Sequence, residues 1–110
     1  MKGTHLGEFE ELVLLIIGVL GDNAYSISIK NELKENSGRN PSIGALHSSL
    51  NRLQEKGYIT TYEGEATPER GGRRKRFYQI TAAGKTALTK SHELRSGLYN
   101  LIPGLTTSNG

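Results

Sequence analysis

Leu12 to Leu20 form an unbroken run of nine uncharged residues, and this run constrains the fold more than any other segment. Phe9, Leu12, Val13, Ile16, Ile17 and Leu20 recur at helical spacing, and Gly21–Asp22–Asn23 breaks the run. Leu14 and Leu15 lie off that stripe, so the predicted helix is apolar nearly all round and needs cover on two sides. A chain of 110 residues makes one small domain. Such a domain buries about 60–65% of its unfolded surface, which leaves little core to spare. A subunit interface at Leu14 and Leu15 is therefore expected. The run is less than half a bilayer span. Its flank carries Glu8, Glu10 and Glu11 against Lys2, the wrong sign for a secretory leader, so a cytoplasmic chain with no membrane partner is expected.

Three further helices and one hairpin follow from local chemistry. Ser26 is placed to cap a second helix carrying Ile29 and Leu33, which Asn36–Ser37–Gly38 would end. A third helix should start near Ser42, with Ile43, Leu46, Leu50 and Leu53 as a narrow apolar stripe and Gly57 as its stop. The texture then turns β-branched and aromatic at Tyr58–Tyr62 and again at Phe77–Thr81. Between them, residues Glu63 to Arg76 read as a long, basic, glycine-rich hairpin tip. Thr81 should cap a last helix, on which Ala87, Ser91, Leu94, Leu98 and Leu101 take alternating steps of four and three until Pro103. The fold class expected is mainly α with a small β-hairpin: a winged helix-turn-helix plus a C-terminal dimerisation helix. Residues 1–81 would form the winged domain, its first helix shared with the dimer interface. Residues 82–103 would form the dimerisation helix, through Leu94, Leu98, Leu101 and Ile102, and 104–110 a disordered tail.

Charge points to a polyanion. Residues 1–38 hold three basic groups against six acidic ones, whereas 39–110 hold eleven against five. Arg73, Arg74, Lys75 and Arg76 stand together and would reach a DNA backbone or minor groove as a wing. On the third helix, the side opposite the leucines presents Gly44, Ala45, Ser48, Asn51, Arg52 and Glu55, with His47 on the flank. Small residues after Ser42 let a helix N-terminus approach phosphate closely. Ser48, Asn51 and Arg52 suit base edges or phosphates, and Arg52 is the basic residue in mid-helix. A winged helix built to contact protein would expose apolar residues there. That alternative, like an RNA-binding one suggested by Arg70–Gly71–Gly72, is weaker than DNA.

Catalysis and cofactors find no support. The chain has no cysteine, and His5, His47 and His92 lack ligand spacing, so neither a metal nor a cofactor is expected. Phosphate-binding and nucleophile-elbow motifs are missing. Glu10–Glu11 would lie on an exposed helix face without a base beside them.

From about Leu6 to Leu88 the sequence also resembles the PadR-type transcriptional regulators. The segments that carry the resemblance are Leu6–Gly7–Glu8–Phe9–Glu10, Gly21–Asp22–Asn23–Ala24–Tyr25, Ser42–Ile43–Gly44–Ala45–Leu46–His47, Leu50–Asn51–Arg52–Leu53, Lys56–Gly57–Tyr58–Ile59, and Arg70–Gly71–Gly72–Arg73 leading to Phe77–Tyr78–Gln79–Ile80–Thr81. The resemblance implies a winged helix-turn-helix bound to double-stranded DNA and a homodimer built from the first and last helices. It implies a repressor that answers, in some relatives, to a small-molecule effector. With one C-terminal helix, the chain is similar to the short members of the family. Where relatives usually carry tyrosine, this chain has His47, which would hydrogen-bond a phosphate. It has no tryptophan, so the flat aromatic platform some relatives place at the dimer centre is not built from that residue.

Overall fold

The computed structural model describes residues 5–66 and 74–105, with the side chains of all of these except Glu65 and Ala66. Helix α1 spans Glu8–Leu20, α2 Ser26–Ser37 and α3 Ile43–Glu55. Strands β1, Ile59–Ala66, and β2, Arg74–Ile80, pair as an antiparallel wing, and α4 runs over Ala82–Leu101.

The helix ends obey side-chain chemistry. Ser42 accepts the Ala45 N–H at 3.0 Å and Thr81 accepts the Gly84 N–H at 3.0 Å, each satisfying an orphan donor of the first turn. For α2 the expected cap moves. Ser26 is the first helical residue, and Ser28 Oγ accepts the N–H of Tyr25, the true cap, at 2.9 Å. Gly57 adopts φ 81°, which lets Tyr58 N–H return to the Leu53 carbonyl at 3.0 Å and turns the chain into β1.

Val13, Leu14, Ile16 and Ile17 of α1 meet Ile29 and Leu33 of α2 and Leu46, Leu50 and Leu53 of α3 in one core, closed by Tyr58, Ile59 and Tyr78. Two expectations change here. Leu14 is wholly buried within its own protomer and is removed from the predicted subunit interface. At about 100° per residue it lies about 60° beyond Ile17, at the edge of the arc that Ile16, Val13 and Ile17 fill, and the packing of α2 and α3 covers that edge too, so the outward stripe is Leu15 with Val19. On α3, Ile43 is exposed and Ser49 is buried in its place. The buried arc is made by Ser49, Leu53, Leu46 and Leu50, and Ile43 lies about 70° from its centre in the first turn.

The wing is longer than the sequence suggested. Pairing runs from Ile59↔Ile80 to Glu63↔Arg76 and, past an irregularity, to Ala66↔Arg74. Arg74, Lys75 and Arg76 thus belong to β2 and not to a loop. Thr81 ties the wing to α4, its N–H donating to the Tyr58 carbonyl at 3.0 Å and its hydroxyl to the Gly57 carbonyl at 2.7 Å. Beyond the half-buried Ala87 and Leu88, α4 leaves the core, and Leu94, Leu98 and Leu101 are exposed. Ile102 ends it, and Gly104 and Leu105 form a turn; the rest of the expected tail lies outside the described residues.

Candidate nucleic-acid interface

Helix α3 is aimed by the turn before it. Lys30 Nζ donates to Asn40 Oδ1 and to the Pro41 carbonyl, both at 2.7 Å, bracing the segment between α2 and α3. The result is an outward face of Gly44, Ala45, His47, Ser48 and Asn51, all exposed, beginning at the Ser42 cap.

The wing is pinned beside that face. Tyr78 N–H donates to the Ala24 carbonyl at 2.8 Å, just ahead of α2. Phe77 is packed between two tyrosines, edge-on to Tyr25 at 5.7 Å and stacked on Tyr62 at 5.4 Å. Gly64 makes room for this ring, since a Cβ there would stand 2.4 Å from Phe77 Cε2. Strand alternation then turns Lys75 the same way as Phe77, with its Nζ 4.0 Å from the Tyr25 ring centroid. Arg74 and Arg76 take the other side and are exposed.

These elements meet in a cleft lined by Tyr25, Ser26, Ile27, His47, Arg74, Lys75, Arg76 and Tyr78. His47 Nε2 lies 3.3 Å from the Ser26 hydroxyl, joining α3 to the first turn of α2. A helix N-terminus and an imidazole therefore share a cleft with a strand that carries three cations, Lys75 toward Tyr25 and Arg74 and Arg76 on the other side, an arrangement that attracts phosphate. Of the predicted site residues, Arg73 lies outside the described residues.

Arg52 does not join this cleft. Its Nε is paired with Glu10 Oε2 at 2.7 Å and its Nη2 donates to Ser49 Oγ at 3.1 Å. At about 70° from the centre of the outward face, it is turned back toward α1. In this structure Arg52 is engaged with Glu10 and Ser49 and is not presented on the outward face. Glu10, expected on an exposed face, is 6% exposed. Its Oε1 also meets Lys56 Nζ at 2.5 Å and the Gly7 N–H at 3.2 Å. Burial pushes this carboxyl up, but the hydrogen bonds from Lys56, Arg52 and Gly7 and the charge of Lys56 outweigh it and hold the group below its ordinary value. Glu11 is engaged as well, with Arg95 Nε of α4 at 3.1 Å. Glu10 stands three residues before Val13 and seven before Ile17. A carboxylate in that stripe is the signal that it needs buried partners.

Among the described residues no group of three or more His, Cys, Asp or Glu is disposed to hold a metal. No helix among them is long and apolar enough to cross a membrane.

Three helices, a two-stranded wing braced on the second of them, and a small polar helix face beside a basic strand define a winged helix-turn-helix protein of the DNA-binding kind. The model of the PadR-like family of transcriptional regulators matches residues 16–90. The chain belongs to that family, and transcription regulation and DNA binding come with the membership. Solved structures of similar fold include a PadR-like transcription factor from Bacteroides fragilis (24% identity, TM-score 0.70, 84% of each chain). A transcriptional regulator from Clostridium thermocellum is similar over 89% of each chain, with 23% identity and a TM-score of 0.69. A PadR family transcription regulator from Clostridium difficile R20291 shares 25% identity at a TM-score of 0.66, over 86% of this chain and 96% of its own. No curated protein matches the chain.

Proposed function

We propose that the chain is a sequence-specific regulator that binds a pseudo-palindromic operator as a homodimer and represses by occupying a promoter. The convergence of His47, Ser26 and the basic strand Arg74–Arg76 on one cleft beside the outward face of α3 carries this reading. In it, α3 enters the major groove through Gly44, Ala45, Ser48 and Asn51, while the wing strand and His47 hold the flanking backbone.

The second half of the proposal rests on unpaired apolar surface. Leu94, Leu98 and Leu101 of α4, Ile102 at its C-cap and Leu15 of α1 are all exposed in the single protomer. A two-fold pairing through them would present two copies of α3 to half-sites centred about 10 base pairs apart, or a multiple of that. A small-molecule effector, if the family pattern extends to this chain, acts by favouring one spacing of the two α3 helices over another.

The wing supplies the test. Changing Arg74, Lys75 and Arg76 together to Gln should weaken binding to every duplex similarly. It should also flatten the dependence of log K on log salt by about two to three, near 0.9 for each phosphate that is no longer neutralised. An unchanged slope would remove the wing from the interface.

A further inference from the structure

We propose that Glu10 is a positioning residue for the DNA-facing helix. From α1 its carboxylate grips Arg52 of α3 and Lys56, the residue that caps α3, and so keeps Arg52 off the duplex and tethers the end of α3 to α1. This rests on the DNA-binding reading above.

Both carboxylate oxygens are committed. Oε2 takes Arg52 Nε at 2.7 Å, and Oε1 takes Lys56 Nζ at 2.5 Å and the Gly7 N–H at 3.2 Å. The two cations are held from behind as well. Arg52 Nη2 donates to the hydroxyl of the fully buried Ser49, and Lys56 Nζ donates to the His5 carbonyl. Glu10 is 6% exposed, while the Arg52 side chain is 51% exposed, so the guanidinium lies over the mouth of a buried anion. Charge-assisted pairs of this length hold orientation firmly. A phosphate across screened water competes poorly with them. The leucine core sets the rotation of α3, and two contacts one turn apart, on Arg52 and on the C-cap Lys56, tether the end of the helix to α1 and limit its tilt. The other carboxylates of α1 have different work: Glu8 pairs with Arg39 at the surface and Glu11 with Arg95 of α4.

Take Glu10 away and one arginine on the flank of the reading helix is freed from its internal partner. In the full-length protein, Glu10→Gln should therefore steepen the salt dependence of binding to a scrambled duplex by about 0.9, the weight of one newly neutralised phosphate. It should also lower the operator-to-scrambled affinity ratio by about tenfold as the C-terminal end of α3 loses its tether to α1. Glu10→Gln combined with Arg52→Gln should return the slope to that of the wild type. Arg52→Gln alone should leave the slope unchanged, and it serves on its own if Glu10→Gln does not fold. A carboxylate with a purely structural role would lower the melting temperature without moving the slope.

The proposal is overturned if Glu10→Gln keeps both the wild-type slope and the wild-type ratio, or if Arg52→Gln flattens the slope by about 0.9, which would put Arg52 on a phosphate already. A wild-type protein indifferent to salt and to sequence would overturn the DNA-binding reading itself, and with it this one. That result is seen before any variant is made.

Discussion

Replacing Gly84 by alanine should destabilise the protein, against the usual preference of helices for alanine. A Cβ at Gly84 would stand 2.3 Å from the Tyr58 carbonyl oxygen and 2.9 Å from Ile80 Cγ1. The nearer obstacle is backbone and is held in place, because the same carbonyl accepts the Thr81 N–H at 3.0 Å. Relief requires α4 to lift from the start of β1 by about 1 Å, which strains the cap that Thr81 makes with Gly57 and Gly84. Overpacking of this kind costs about 1–3 kcal/mol. A weakened hydrogen bond adds about 1 kcal/mol, and the gain in helix propensity offsets about 1 kcal/mol. The net loss is about 1–3 kcal/mol, a fall in melting temperature of roughly 5–15 °C for a domain of this size. Circular dichroism melts at matched protein concentration measure it, since association of the proposed dimer would make the melting point depend on concentration. A variant that melts at or above the wild type would refute the close approach of α4 to Tyr58.

Gly44→Ala should do the opposite. Its Cβ meets nothing within 4 Å, so the melting temperature should rise by the few degrees that up to about 1 kcal/mol of helix propensity confers, while operator affinity falls. Undiminished affinity would mean that the first turn of α3 does not lie against DNA. The Glu10 carboxyl is lowered on folding, so its stabilisation is complete above the ordinary carboxylate range and fades as pH drops through the lowered value. Urea midpoints of the wild type and Glu10→Gln should accordingly converge below about pH 4, and a gap that widens toward acid would contradict the assignment. Leu98→Asp should give a monomer by sedimentation, and a dimer persisting at low micromolar protein would remove α4 from the interface.

What the sequence makes legible is chemistry confined to a few neighbouring residues. The caps at Ser42 and Thr81, the left-handed stops at Gly38 and Gly57 and the leucine spacing of α3 each involve atoms within one turn of each other. What depends on a remote partner is not legible. Arg52 and Glu10 are 42 residues apart, and periodicity places Arg52 near the outward face without showing the carboxylate that draws it back. The Phe77 sandwich depends on Tyr25 from ahead of α2, Tyr62 across the sheet and a missing side chain at Gly64, so local chemistry alone makes the basic run of β2 look like loop. Leu14 and Leu15 are chemically equal, and only the placement of α2 and α3 decides which of them faces inward.

The central claim is sequence-specific DNA binding. Fluorescence anisotropy of a labelled duplex from the gene's own upstream region, at about 150 mM salt with excess competitor DNA, tests it directly. A sequence-specific regulator gives saturable binding at about 10⁻⁸–10⁻¹¹ M that a scrambled duplex does not match. Equal, weak binding to both duplexes would contradict it.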